Sequence, residues 1–443
     1  MTNRLLTWGA GAAVWTALAV TGQAITVDEC IRTALENNPD AQAAGFRVEA
    51  AEAAIAQAES AYYPQLAAAG TYGRTDNPPQ AFFMKLNQRQ ASMTEDFNQP
   101  DDTENYRASL GAKWRLLDGG QRGLTRRMAQ SGTRTAAYAQ KALQNELIHQ
   151  VTRGYHGILQ AQAFVLVQEE SVKSIEESLR VANERFKAGS AVKVDVLNLE
   201  VQRAQAREDL IRARNGVQLA IAALNTAIGS DLIDETGLPQ GKLEEIPTEA
   251  APVGGVETRP ELLAAQTMTE IQSDGLKKAR RDYAPTLSAF GSLDWDSDGS
   301  SDLENSYFAG VMAEWDLFTG FRRGGAVREA KAKQELARAE LEKARNQLRF
   351  DLTQAGIQAK EARERLDVSQ QAVASAEEAL RITREQYQQG AADVTLLMTS
   401  QVGLTAAQSR HVASYYDYLN ALSNLERAQG QLVNKYVDDQ GGK

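Results

Sequence analysis

His149 and His156 stand seven residues apart, two helical turns, and His411 lies far downstream in this 443-residue chain. Two imidazoles so spaced could hold a metal ion, but no carboxylate or cysteine joins them at zinc-ligand spacing. They are expected to be ordinary interface or solvated residues, with no metal site and no cofactor. Cys30 is the only cysteine, so no intrachain disulfide can form, and the VDE before it does not resemble a lipoprotein acylation box. No glycine loop followed by Lys-Ser/Thr is present to cradle a nucleotide phosphate, so the chain does not power any transport itself. The reading is therefore not an enzyme, and function has to be carried by architecture.

That architecture is written twice. Residues 113–123 read KWRLLDGGQRG and residues 314–324 read EWDLFTGFRRG, an offset of 201. At the same offset of 201, Tyr106, Leu110 and Trp114 map onto Tyr307, Val311 and Trp315, and ERFKAG (184–189) maps onto EQYQQG (385–390). Pro39 and Pro64 recur as Pro260 and Pro285 at an offset of 221, so the first copy carries 20 extra residues between Pro64 and Tyr106. That stretch, NPPQAFFMKLNQRQASMTEDFNQPDD, has paired prolines and sustains no period, which predicts a long loop over 74–105.

The periodicities predict the elements that each copy contains. Helices are expected over 39–63, with Asn38 as N-cap and Pro39 at the first helical position, and over 260–284. Strands fall within 64–117 and 285–318. Between Tyr106 and Leu116, and again between Tyr307 and Leu317, apolar and polar residues alternate strictly, the pattern of a strand with two unlike faces. Proline-free tracts then predict helices over 121–188 and 322–389, each ~100 Å long at ~1.5 Å per residue. Leu341, Ala344, Leu348, Leu352 and Ala355 form a narrow stripe of the coiled-coil kind. Gly189 and Gly390 stop these helices, and new ones are expected over 193–228 and 394–429. The repeats thus occupy 25–228 and 259–429, separated by a linker over 229–258 and followed by a tail over 430–443.

Residues 1–24 carry one early Arg, an apolar run and a small-residue ending, the build of a cleaved secretory signal peptide. Without it, 47 basic residues face 58 acidic ones, a net charge of −11 that disfavours nucleic acid as a partner. In an exported protein, strands opened by Tyr106 or Tyr307 and closed by Trp114 or Trp315 read as membrane β-strands with an aromatic girdle. The competing reading is a pair of soluble hairpins packed on a core. Four membrane strands cannot close a barrel, because an open edge in lipid leaves backbone groups unpaired and known barrels begin at ~8 strands. Two chains would give 8 strands and a filled interior, three would give 12 and a lumen.

Together these features resemble the TolC-like outer-membrane efflux proteins over essentially the whole mature chain. The resemblance rests on the duplicated strand-strand-long-helix unit, the W-x-L-x-x-G-x-x-R corner in both copies, the F/Y-x-x-G tip and the extended first loop with AFFMKLNQRQ. It implies a fold that is mostly α with membrane β: a homotrimer whose 12-stranded β-barrel continues into a 12-helix periplasmic α-barrel. It also implies an exit duct for a tripartite pump or type I secretion system in a Gram-negative outer membrane. A periplasmic adaptor, or membrane fusion protein, and an inner-membrane transporter would be its partners, with outer-membrane lipid around the barrel. By the same resemblance Phe186, Gly189, Tyr387 and Gly390 mark the adaptor-contact tips. Asp195, Asn198, Asp393 and Met398 mark the periplasmic aperture, where ADVTLLMT reads as one residue shorter than the matching stretch of the first copy. Asp195 and Asp393 could equally be caps of helix starts. The other function compatible with the residues is a secreted or periplasmic coiled-coil scaffold without a pore.

Overall fold

A computed structural model describes residues 25–92, 94, 96, 98–234, 237–239, 255–300 and 302–436. The expected signal peptide 1–24, residues 240–254 of the expected linker and residues 437–443 of the expected tail lie outside the described residues. The elements run α1 (Val27–Asn37), α2 (Pro39–Ser60), β1 (Gln65–Thr75), α3 (Pro78–Asn87), β2 (Thr103–Leu117), α4 (Gln121–Lys187) and α5 (Lys193–Ile228). After a 3-10 turn at Val256–Thr258 come α6 (Pro260–Arg281), β3 (Thr286–Ser297), β4 (Glu304–Glu314), α7 (Arg322–Gln389), α8 (Val394–Gln429) and α9 (Leu432–Tyr436). They gather into two units, one built from residues up to Asn38, from Leu147 into the linker and from Gln358 to Asn424, the other from the remaining segments.

The described elements of the first unit are all helices. Its core is a succession of narrow seams, as the sequence stripes require. Leu159 and Ala163 of α4 meet Ala362 and Leu366 of α7 and Val412, Tyr415 and Tyr416 of α8. Leu179 and Ala182 meet Val196, Leu199, Leu380, Tyr387, Val394 and Leu397 in a second cluster. The three histidines are seam residues. His149 Nδ1 lies 2.9 Å from Ser423 Oγ, His156 Nδ1 2.8 Å from Asn420 Oδ1 and His411 Nδ1 3.1 Å from Ser369 Oγ. Burial holds both His156 and His411 below the usual imidazole range. Among the described residues no group of His, Cys, Asp and Glu is placed to hold a metal ion.

Helix α1 was not among the expected elements, and it gives Asn38, the residue directly before α2, a second place at the end of α1. The chain is already helical before Pro39, so Asn38 is the C-cap of α1, its backbone N–H on Ala34 O, while its side-chain amide donates to Ala227 O at 2.8 Å. The signal for α1 was a capping box, Thr26 followed three residues later by Glu29, and the Thr26 hydroxyl does accept from Glu29 N at 3.3 Å. The helix buries Cys30, whose thiol is pushed up to about 12 by that burial and by the neighbouring Glu29.

The second unit holds an antiparallel sheet in the order β1-β2-β3-β4, beside α2, α6 and the first parts of α4 and α7. Helices α2 and α6 end at Ser60 and Arg281, short of the expected 63 and 284, and two further expectations change. Strand β4 ends at Glu314, so Trp315 and Leu317 lie past it. The stretch 74–105 is not a continuous loop but contains α3. Asn77 caps it, its side chain accepting from Gln80 N at 3.4 Å, and the two prolines occupy the first turn where their missing N–H groups cost nothing. No described helix is long and apolar enough to cross a membrane, which says nothing against strands doing so.

Candidate functional site

The sheet has two faces of opposite character, fixed by register. Tyr72 pairs with Tyr106, Ala68 with Leu110, Leu110 with Leu293, Leu293 with Tyr307 and Ala289 with Val311, so a continuous apolar face runs across all four strands. Among the described residues of the single chain nothing covers it: Tyr307 is 81% exposed, and Leu66, Tyr72, Leu293 and Val311 are exposed too. The other face carries Arg107, Ser109, Lys113 and Arg115 on β2. There Arg107 Nε lies 2.8 Å from Asp296 Oδ1, which also accepts from Asn105 Nδ2 at 2.6 Å. A ring pair, Phe290 and Phe308 with centroids 5.5 Å apart, interrupts the polar face in the second copy. Among the described residues, β1 and β4 have no partner on their outer edges.

Each strand-to-helix corner is a clasp, and the repeated phrase encodes it. Trp114 Nε1 donates to Tyr62 O at 2.9 Å, and Trp315 Nε1 donates to Tyr283 O at 3.1 Å. Arg122 lies over the Tyr62 ring, 4.7 Å from its centroid, and donates to Arg115 O and Leu116 O at 2.8 and 2.9 Å. Arg323 lies 5.5 Å from the Tyr283 centroid, donates to Asp316 O, and reaches Asp316 Oδ2 at 3.2 Å and Asp282 Oδ2 at 3.4 Å. A strand that ends leaves carbonyls without a ladder partner, and the guanidinium satisfies them. Gly119 and Gly120 turn the first corner at φ of 65° and 80°, and a Cβ on Gly119 would come within 2.6 Å of Ala284 Cβ. In the second copy Gly320 and Phe321 hold the same places at 60° and 64°, and Gly324 and Gly325 lie inside α7. The only sequence signal for the tyrosine of the clasp is position: Tyr62 and Tyr283 each stand two residues before the proline that opens the way to a strand.

At the turns between α4 and α5 and between α7 and α8, Gly189 and Gly390 take φ of 75° and 81°. The two turns keep the 201 spacing, with α5 starting at Lys193 and α8 at Val394, so the second is not one residue shorter as the sequence suggested. Asp393 accordingly takes the place of Val192, immediately before α8, and its Oδ1 accepts from Leu396 N at 2.8 Å, the geometry of an N-cap. Asp195 is half-buried in the first turn of α5, Asn198 is exposed, and Met398 packs partly against the cluster around Leu199 and Leu397. The two tip aromatics are not equivalent. Phe186 is exposed with Lys193 over its ring, whereas Tyr387 is only 3% exposed. Arg185 covers the Tyr387 ring at 4.9 Å and donates to Tyr387 O and, at 3.2 Å, to Ser190 O, tying the two turns together. The Tyr387 hydroxyl has no hydrogen-bond partner among the described residues, and burial pushes its phenol up.

The chain as a whole is similar to known proteins. The family model described as outer membrane efflux protein matches residues 30–230 and 256–431. The alkaline protease secretion protein AprF of Pseudomonas aeruginosa is 23% identical over 447 residues, covering 97% of this chain and 89% of the relative. The outer membrane efflux protein BepC of Brucella suis is 23% identical over 438 residues, covering 96% and 90%. Among solved structures, the Campylobacter jejuni CmeC outer membrane channel superposes with a TM-score of 0.80 at 16% identity, covering 100% of this chain and 97% of that one.

Proposed function

Since the chain belongs to the outer membrane efflux protein family, we propose that three copies of it form a passive exit duct, one 12-stranded barrel continuous with a 12-helix periplasmic tunnel. The protein resides in the outer membrane of a Gram-negative envelope and extends into the periplasm. The observation that carries the trimeric reading is the sheet, with one uninterrupted apolar face and two open edges. In lipid each unpaired backbone group costs several kcal/mol, so the edges must be closed by other chains. Twelve strands leave a lumen lined by the polar face, where eight would leave a packed interior. A scaffold without a pore has no use for such a sheet.

The duct serves either a tripartite efflux pump or a type I secretion system. AprF is named for protease secretion and BepC for efflux, and both uses suit a wall that reads no particular cargo. Because the sequence holds no nucleotide-binding loop, drive comes from an inner-membrane transporter, and a periplasmic adaptor meets the helix turns around Phe186, Gly189 and Gly390. Tyr387 supports that surface from within. Asp195, Asn198 and Met398 ring the closed aperture, and Asp393 lies beside them as the cap of α8. In planar bilayers the purified protein is expected to give discrete current steps, and cross-linking in cells is expected to capture an adaptor. A soluble periplasmic protein without conductance would favour the scaffold.

A further inference from the structure

Within the longer connection of the first copy, residues 78–90 fold as a strap across the polar face of the sheet. Helix α3 leaves the end of β1 and places the Met84 methyl over Gly73, where a Cβ would come within 3.2 Å of it. Gln88 is buried beyond it, its Nε2 donating to Glu104 O at 2.6 Å, Asn105 Oδ1 at 2.9 Å and Ser297 O at 3.4 Å. Arg89 reaches Asn305 O at 3.2 Å and Glu304 at 3.1 Å, and Gln90 reaches Asp298 at 2.9 Å. The strap therefore starts at β1, is latched on β2 and β3, and finishes at the β3–β4 hairpin. Gly73 and Asn105 belong to the same face as Arg107, which is the face that would line a lumen. Ala81, Met84, Lys85 and Gln88 form the more buried stripe of α3, and Phe83 (61% exposed) and Leu86 (44% exposed) stand on the opposite stripe.

We propose that α3 makes the outer mouth of the duct a constriction, with Phe83 and Leu86 of the three chains lining what opening remains. The inference rests on the trimeric reading above. Twelve strands ~4.8 Å apart and tilted ~40° give a wall ~75 Å around and a backbone diameter of ~24 Å. A helix with its side chains is ~10 Å across, so three of them side by side need a tube ~22 Å wide. Three copies of α3 on the inner face thus nearly fill the lumen at their level. Two exposed apolar side chains on a strap otherwise bathed in water are consistent with that placement, because there they shelter one another. The mouth is then a second control point, in series with the periplasmic aperture and selective by size.

The test uses the full-length protein with Cys30→Ser, extracted as the assembled duct. Phe83→Cys should be joined between protomers by a bis-maleimide spanning about one helix diameter, ~10 Å, whereas Tyr307→Cys, on the opposite face, should not. In planar bilayers, polyethylene glycols added on the outer side should be excluded above a certain size, and Phe83→Ala with Leu86→Ala should shift that limit to larger polymers. Both results are required. A trimer in which Phe83→Cys stays unjoined, or in which the exclusion limit does not move, overturns the constriction and leaves the duct reading intact. Protein that extracts as single chains overturns both.

Discussion

Arg322 and Arg323 are neighbours that reach the same carboxylate at nearly the same distance, 3.5 and 3.4 Å from Asp282 Oδ2. If ion pairs alone set their worth, Arg322→Ala and Arg323→Ala would cost the same. They differ in burial: the Arg322 side chain is 63% exposed and that of Arg323 is 8% exposed. For Arg322 the pair is screened by water and contributes ~0–1 kcal/mol. Removing Arg323 leaves the Asp316 carbonyl without its donor, ~1–3 kcal/mol, and removes a cation–π contact worth ~0.5–1 kcal/mol. Its two ion pairs add little, since Asp282 and Asp316 are 35% and 51% exposed. The expected cost of Arg323→Ala is therefore ~3 kcal/mol per chain, about a hundredfold in the folding equilibrium, against less than ~1 kcal/mol for Arg322→Ala. Arg323→Lys keeps the charge but not the planar fork and should recover less than half of the loss. Guanidinium unfolding of the detergent-solubilised protein, followed by its helix signal, reads the difference as a shift of midpoint at unchanged slope. Equal midpoints for the two alanine variants would refute the clasp as the reason for the repeated Trp-to-Arg phrase.

At the other aromatic of the clasp, Trp114→Asp or Trp315→Asp should impair membrane insertion, while charge changes at Lys113 or Glu314 are tolerated; fractionation of outer membranes separates the outcomes. Acidification should loosen the first unit. His156 is held low by burial, so the stability it allows is full above ~6.5 and is lost as pH falls through its lower folded value. His156→Gln should flatten that dependence in thermal melts recorded between pH 5 and 8. Gly119→Ala should cost more than ~1 kcal/mol, because it combines a positive φ with a clash on Ala284, and a midpoint equal to that of the parent would contradict the turn geometry. Cysteines at Asp195 in the Cys30→Ser background should cross-link between protomers and block conductance until reduced; cross-linking that leaves conductance untouched would remove Asp195 from the aperture.

The duplicated fold was legible because each copy repeats its own punctuation. Period-two alternation from Tyr106 to Leu116 and proline-free tracts ending at Gly189 and Gly390 are local signals of backbone state, and local signals survive in a single sequence. What the sequence could not convey depends on partners distant along the chain. Trp114 reads as a girdle residue, but its hydrogen bond to Tyr62 O spans 52 positions and is invisible to spacing. Tyr387 and Phe186 occupy matching places in the two copies, yet one is buried beneath Arg185 and the other exposed. The stretch taken for a loop hid α3 because a ten-residue helix is too short to establish a period, and its Asn-Pro-Pro start serves a turn as readily as a cap. Asp393 reads as a gate carboxylate under one alignment of the two tips. The 201 spacing that the helices keep sets it at the capping position of α8.

The central claim is that this sheet is a third of a wall. The native mass of the particle extracted from outer membranes in mild detergent tests it most directly, with the detergent contribution subtracted. Three mature chains per particle is the predicted result. A particle of one chain would contradict the claim, since four strands with two open edges would then have to stand alone in lipid.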